Sequence, residues 1–182
     1  MPLPPPHDRE ELHHRRIDFR GFRRADGLWD IEGHLTDLKS YPFTNAYRGE
    51  IKPGEALHDM WIRLTIDDDF LIHDIEASTV EGPFEICPAI TPDFKKMIGV
   101  TIAAGWRREI RQRLGGSQGC THLVELLTGM ATVAFQTLYP TLSKRNQDRP
   151  VTTKPRLIDS CHAFRSDGEV VKASWPQFYT GE

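Results

Sequence analysis

The sequence predicts an α+β fold, in which an antiparallel sheet of about four strands is followed by, and packed against, three helices. Two observations predict this order. Apolar residues alternate with polar ones in the first half of the chain, which is the period of a strand. After Pro92 the apolar residues recur every three or four positions, which is the period of a helix. The strands therefore precede the helices.

The four strands are predicted to form two hairpins. Within residues 16–38, two extended runs flank Asp26-Gly27, a dipeptide that favours a tight hairpin turn. After a loop over 41–57, a third strand presents one apolar face, made of Met60, Ile62, Leu64 and Ile66. Three consecutive aspartates at 67–69 then turn the chain, and residues 70–79 return antiparallel to the third strand.

Three helices are predicted after the sheet. A short one begins at Pro92, a position where the missing backbone donor is harmless, and runs to Met97. A second, with a cationic exposed surface, lies between the glycines at 105 and 115. The longest runs over 121–139 and should stop at Pro140.

The chain length of 182 residues suits one domain with a hydrophobic core. Residues 1–14 are predicted to be a flexible segment, and residues 15–182 a single α+β domain. The chain is less periodic from Pro155, and we expect the segment from about residue 143 to wrap over the core.

Composition excludes several classes of protein. A formal net charge of -3 offers no basic surface for nucleic acid. No apolar stretch approaches the ~20 residues that span a bilayer, and the start of the chain lacks the apolar centre of a secretory signal. Three widely spaced cysteines do not suggest a disulfide framework. A cytoplasmic protein without nucleic-acid or membrane partners is expected.

Thiols and imidazoles at the ends of predicted elements suggest a functional site. His58, beside Asp59, opens the third strand, Cys87 precedes a proline, and Cys120 and His122 begin the longest helix. A helix N-terminus favours a thiolate, and borderline metals accept thiolate and imidazole ligands together. His58, Cys87 and Cys120 are therefore predicted ligands of zinc or iron. The alternative is that these cysteines are ordinary core residues.

A second set of candidates lies along the second strand, where Glu32 and His34 share one face and could act as an acid/base pair. Cross-strand ion pairing with nearby arginines is the alternative. Arg20 and Arg24 could instead hold the carboxylate or phosphate of a substrate. The aromatic candidates, which could line a binding pocket or simply belong to the core, are Trp61 and Trp106.

Three stretches, DGLWDIEGHLTDLK, HDMWIRLTIDDDFLIHDIEAST and GCTHLVELLTGMATVAFQT, together resemble an uncharacterised bacterial domain-of-unknown-function family, numbered 2889. The resemblance covers about residues 15–139. It implies no particular activity.

The order of elements also resembles, more distantly, the iron-sulfur cluster scaffold family related to the nitrogen-fixation U protein. In that family three cysteines hold the cluster; Cys87 and Cys120 match the second and third, whereas His58 stands at the first. That family has a histidine immediately before the third cysteine, and in this chain the corresponding position is occupied by Gly119. The resemblance thus implies a scaffold-like fold with an altered site.

We expect a small-molecule catabolic enzyme, a lyase or related acid/base catalyst, acting on an aromatic compound. The expected catalytic residues are Glu32, His34, His58, Asp59 and His122. The expected substrate-binding residues are Arg20, Arg24, Trp61 and Trp106. A non-enzymatic metal or iron-sulfur carrier and a simple binding module are the alternatives, and an exposed aromatic loop over 41–47 could support a homodimer.

Overall fold

The computed structural model describes residues 3–146 and 151–182, and it confirms the predicted α+β class. The strands in chain order are β1 (His13–Arg23), β2 (Trp29–Lys39), β3 (Phe43–Asn45), β4 (Gly49–Ile51), β5 (Ala56–Ile66) and β6 (Ile72–Glu81). The α-helices are α1 (Trp106–Leu114), α2 (Thr121–Asn146) and α3 (Glu169–Ser174). The 3-10 helices are Cys87–Met97, Gly116–Gln118, His162–Phe164 and Pro176–Phe178.

The main sheet contains four antiparallel strands in the order β1-β2-β5-β6, which confirms the two predicted hairpins. The first turn contains Asp26-Gly27 as predicted, with Gly27 at φ 90°. The third strand, β5, buries the predicted apolar face: Met60, Ile62, Leu64 and Ile66 are at most 1% exposed. Helices cover this face, and the other face carries the polar residues of β2 and β5.

Several element boundaries differ from the prediction. The loop over 41–57 contains a small separate hairpin, β3–β4, and β5 begins at Ala56, so His58 lies inside the strand rather than opening it. The strand β1 begins at His13, because the carboxylate of Asp37 on β2 binds that histidine. The first predicted helix is a 3-10 helix that begins earlier, at Cys87.

The long helix α2 lies close to the sheet because two glycines make room for one aromatic ring. The ring of Phe19 on β1 occupies the space beside Gly33 on β2 and Gly129 on α2, where a Cβ atom would stand 3.0 and 2.8 Å from ring carbons. Leu126, fully buried, packs on the same region. This close approach positions the first turn of α2 above the inner face of the sheet.

The prediction that the long helix stops before Pro140 is wrong. Helix α2 continues through Pro140 to Asn146. A proline in a helix removes the hydrogen bond to the carbonyl four residues earlier, here that of Gln136. Packing outweighs this loss, since Leu138 is fully buried and Leu142 packs against the same core.

The contacts divide the chain into two compact units, residues 1–142 and 143–182. In the second unit, the chain turns at Asp167-Gly168, where the amide of Gly168 donates to the carbonyl of Arg165. The rings of Phe164 and Trp175 lie 6.0 Å apart, and Val171 is fully buried. Cys161 is exposed. Residues 147–150, within the predicted C-terminal segment, and residues 1 and 2, within the predicted N-terminal segment, lie outside the described residues.

Replacing Pro140 with alanine should stabilise the protein. Pro140 is exposed, and alanine would restore the backbone donor to the carbonyl of Gln136 without disturbing the core. We expect the free energy of unfolding to rise by roughly 1–3 kcal/mol, measured by urea denaturation followed by circular dichroism. Gln136→Ala, which leaves the backbone pairing as it is, serves as the control. If Pro140→Ala were less stable than the wild type, the proline would instead stabilise this end of the helix.

Candidate active site

A buried carboxylate organises the inner face of the sheet at the end where β2 pairs with β5. Asp37 is 1% exposed and stands directly across from His58. Its two oxygens receive four hydrogen bonds: from His13 Nε2 and His58 Nδ1, each at 2.8 Å, and from Arg15 Nε at 2.8 Å and Nη2 at 2.7 Å. A carboxylate offers about four lone-pair positions, so Asp37 is saturated.

Arg15 extends this network to helix α2. Its third nitrogen, Nη1, lies 2.5 Å from Glu125 Oε2, so one guanidinium bridges a buried carboxylate of the sheet and a more exposed one of the helix. The planar guanidinium can bind Asp37 with two parallel bonds, a geometry that lysine could not reproduce. The helix and the sheet are thereby joined by charge as well as by packing.

Two imidazoles lie beside each other next to this carboxylate. The ring of His122, in the first turn of α2, lies 3.8 Å from the ring of His58, with an angle of 34° between the planes. Because an ionised carboxylate only accepts hydrogen bonds, His58 must carry its proton on Nδ1. The lone pair of a neutral His58 therefore lies on Nε2. We call Asp37, His58 and His122 the inner cluster.

The pKa values of the inner cluster favour neutral imidazoles beside an ionised carboxylate. Burial acts to raise the pKa of Asp37, but hydrogen bonds from Arg15 and His13 and the charge of Arg15 hold it well below its usual range. Burial lowers the pKa of His58, and the neighbouring His122 lowers it further, against the opposing effect of Asp37. Burial and the charge of Arg15 likewise lower the pKa of His122.

One thiol lies beside the inner cluster. Cys120 directly precedes α2, as predicted, and its carbonyl accepts the amide of Val124 in the first turn of the helix. Its Sγ lies 3.9 Å from His122 Nδ1 and 4.0 Å from Met60 Sδ. His122 therefore lies against two other predicted site residues, Cys120 and His58.

The inner cluster is also where a metal ion could be held. Within residues 3–146 and 151–182, it is the one set of three or more thiol, imidazole or carboxylate groups whose ligand atoms all lie within 4.8 Å of one another. The predicted ligands Cys87 and Cys120 do not belong to it. Cys87 lies in the 3-10 helix after β6, against Gly82, so the structure does not assemble the predicted set of His58, Cys87 and Cys120.

The other predicted catalytic residues lie on the opposite face of the sheet. Successive strand residues point to opposite faces, so His58 faces the helices whereas Asp59 faces outward. Asp59 Oδ1 accepts hydrogen bonds from His34 Nε2 at 2.9 Å and from Trp61 Nε1 at 3.0 Å. We call His34, Asp59 and Trp61 the outer triad. The predicted catalytic set is thus divided between the two faces.

Glu32 and His34 share the outer face as predicted, but their described hydrogen bonds go to different partners. Glu32 instead binds Arg63 across the sheet, with the oxygen 2.7 Å from Nη2, so cross-strand ion pairing describes this residue. Arg24 binds Asp26 within the first turn and Asp30 at the start of β2.

Two further predicted substrate-binding residues lie apart from the inner cluster. Arg20 borders a small hollow beside the outer triad. Trp106 belongs to the hydrophobic core, where its indole donates to the carbonyl of Leu127 at 3.2 Å.

Sequence reasoning missed Asp37, Arg15 and His13 as members of the site. One signal was present: an aspartate on the apolar face of β2, in line with Ile31 and Leu35, requires a compensating charge if it is buried. On β1, His13 and Arg15 are spaced two apart and so share a face. The strand register, which pairs Arg15 with Asp37, was needed to connect them.

Comparison with known proteins identifies a family but no activity. The model of the family described as "Protein of unknown function (DUF2889)" matches residues 13–136. Neither the curated proteins nor the solved structures include a match to this chain. In the described part of the chain, none of the helices has the length and apolar character needed to cross a membrane.

The lowered pKa values of His58 and His122 predict a loss of stability on mild acidification. Both pKa values lie below the ordinary 6.5 in the folded protein, so the unfolded chain binds more protons below that pH. Their contribution is present above pH 6.5 and is lost as the pH falls towards the folded pKa values. The contribution of Asp37, whose pKa is also lowered, persists until the pH falls below about 3.8.

Urea unfolding at pH 7.5 and at pH 5.5 tests this prediction. The wild-type protein should be less stable at the lower pH, and His122→Gln should reduce that difference because it removes one titrating group. His14→Gln changes an exposed histidine of β1 and should behave like the wild type. An equal pH dependence in the His122 and His14 variants would contradict the burial of a neutral imidazole at position 122.

Proposed function

Because the chain belongs to the DUF2889 family, whose function is unknown, we propose a function from the inner cluster alone: a small-molecule enzyme that works by acid/base catalysis. His58 is the proposed general base, and Asp37 is the residue that positions it. The supporting observation is the 2.8 Å bond from His58 Nδ1 to Asp37, which leaves Nε2 to accept a proton. A base held by a third group is a common arrangement in enzymes that transfer protons.

A lyase reaction that releases an aldehyde suits these groups. His58 Nε2 would take the proton from the hydroxyl group of a β-hydroxy carbonyl compound, and the adjacent carbon-carbon bond would break as the aldehyde forms. The electron pair of that bond would move towards the carbonyl oxygen of the remaining fragment. His122, neutral at pH 7, would donate its ring N–H to this oxygen, since a neutral imidazole can stabilise an enolate. The proton on His58 would finally pass to the carbon of the enolate.

Burial of the inner cluster supports this role. A base with a pKa near or below the working pH is ready to accept a proton, and the lowered pKa values of both imidazoles meet that requirement. Each nitrogen of the Arg15 guanidinium already has a carboxylate partner, and the carboxylate of Asp37 already accepts four hydrogen bonds. They stabilise the base instead of competing for the substrate. The tryptophans led us to expect an aromatic substrate. The inner cluster contains no feature that requires an aromatic ring in the substrate.

The proposed lyase can be tested with a panel of β-hydroxy acids and β-hydroxy ketones, using an aldehyde-specific hydrazine reagent to detect the product. We expect His58→Gln to reduce kcat by roughly 10²–10⁴-fold, because proton transfer is lost. His14→Gln should leave kcat unchanged. Circular dichroism of each variant checks the fold. The proposal would be contradicted if His58→Gln released aldehyde at the wild-type rate. It would also be contradicted if the folded wild-type protein released no aldehyde from any member of the panel.

A second candidate function is the non-enzymatic binding of a zinc or ferrous ion by the inner cluster. It is favoured by the 4.8 Å grouping of one carboxylate and two imidazoles, a donor set that both metals accept. Asp37 would have to exchange one of its four present partners for the metal, which makes this the less favoured candidate. An iron-sulfur cluster is less favoured still, because such clusters are held mainly by thiolates and the inner cluster contains none.

Calorimetric titration with Zn²⁺ distinguishes the two candidates. If the inner cluster is a metal site, about one equivalent should bind at pH 7.5, and both His58→Gln and His122→Gln should abolish binding. Binding should weaken at pH 5.5, because protons compete for the imidazoles. Cys87→Ser should have no effect. Loss of binding in the Cys87 variant would instead restore the ligand set that the sequence predicts.

A further inference from the structure

We propose that the outer face of the sheet contains a second binding site, for a planar aromatic cation, on the free face of Trp61. The site is independent of the inner cluster, because Trp61 and His58 project from opposite faces of β5. It uses residues that the proposed enzyme does not need.

The indole of Trp61 is exposed yet held in place. Trp61 is 40% exposed, whereas tryptophans are highly buried on average. His34 stacks on one face, with the ring centroids 3.7 Å apart and the planes 10° from parallel. A single oxygen of Asp59 accepts the ring N–H of both residues. The orientation of the indole is therefore fixed before any ligand arrives, which reduces the entropy cost of binding.

The other face of the indole borders a hollow. The lateral neighbours of Trp61 in the sheet are His34 on β2 and Ser78 on β6. The imidazole of His34 covers one face of the indole. On the opposite side, the short side chain of Ser78 leaves space beside the ring. A cavity of about 300 Å³ occupies this position, and its lining includes Trp61, Ser78, Arg63, Glu32 and Glu76. This volume is sufficient for a small aromatic ring.

The charges around the hollow favour a cation. Glu32, Glu76 and Arg63 line the hollow, and a third carboxylate, that of Asp59, lies against the indole. Arg63 pairs with Glu32 and Lys95 pairs with Glu76. The described ion pairs join Asp59 to no lysine or arginine, so its carboxylate supplies the negative excess beside the indole. The π face of tryptophan attracts a cation more strongly than the face of any other side chain. A flat ring with a positive charge meets both requirements.

Nuclear magnetic resonance on the full chain tests the site with two probes of similar size, 1-methylpyridinium chloride and sodium benzoate. The indole N–H signal of Trp61, assigned by its absence in Trp61→Phe, should shift in a saturable manner with the cation, with a millimolar Kd. Benzoate should bind roughly tenfold more weakly or not at all, because the charge of the ring is reversed.

Ligand-observed saturation transfer compares the variants. Trp61→Leu should abolish transfer to the cation, Ser78→Phe should abolish it by filling the hollow, and Glu76→Gln should weaken binding a few-fold. Glu50→Gln removes the same charge from an exposed position on β4 and should have no effect. Both Trp61 and Ser78 point away from the core, and urea unfolding verifies each fold. The proposal would be overturned if the wild-type protein did not bind the cation or bound benzoate more tightly than the cation. It would also be overturned if folded Trp61→Leu bound the cation as well as the wild type does.

Discussion

The buried carboxylate of Asp37 is the interaction on which the rest of this structure depends. It joins three strands, because its partners His13 and Arg15 lie on β1 and His58 lies on β5. Through Arg15 and Glu125 it also connects to helix α2. Removal of such a charge would leave a guanidinium without its partner, which is costly in a partly buried position. One residue thus stabilises the sheet, positions the helix and orients an imidazole.

The sheet separates two kinds of polar chemistry. On the inner face, burial lowers the pKa values of two histidines and excludes most of the solvent, so that each group has a defined protonation state. On the outer face, the groups remain near water and are organised by hydrogen bonds and stacking, as in the outer triad. Electrostatic interactions are therefore stronger on the inner face, and ligand access is easier on the outer face.

The sequence was informative where a pattern is local. The alternation in β5 predicted both the strand and its buried face, and Asp26-Gly27 predicted the first turn. Helix α2 was predicted to begin at Thr121, and it does. Its continuation through Pro140 was not predictable, because it depends on where Leu138 and Leu142 pack in three dimensions.

The candidate site was predictable only in part, for the same reason. His58, Cys120 and His122 stood out by residue type and by position at element ends, and they do meet in space. The local signal of Asp37, its place on the apolar face of β2, shows only that it is buried. Its role follows from the register, which places it across from both His58 and Arg15. Cys87 was grouped with them by its position in the order of elements, but that order does not determine side-chain distances.

The two-residue period of β5 has a consequence for how this chain can change over time. His58 and Trp61 are three positions apart, and this odd number places them on opposite faces of the sheet. If one residue were inserted or deleted between them, every residue of β5 on one side of the change would face the opposite side of the sheet. Either His58 would then point outward or Trp61 would point inward. Residues 40–55, which connect β2 to β5, are mostly exposed apart from the buried Ile51, so changes in their length should disturb the sheet much less. Related chains should therefore differ in length in that connection and agree in length between His58 and Trp61.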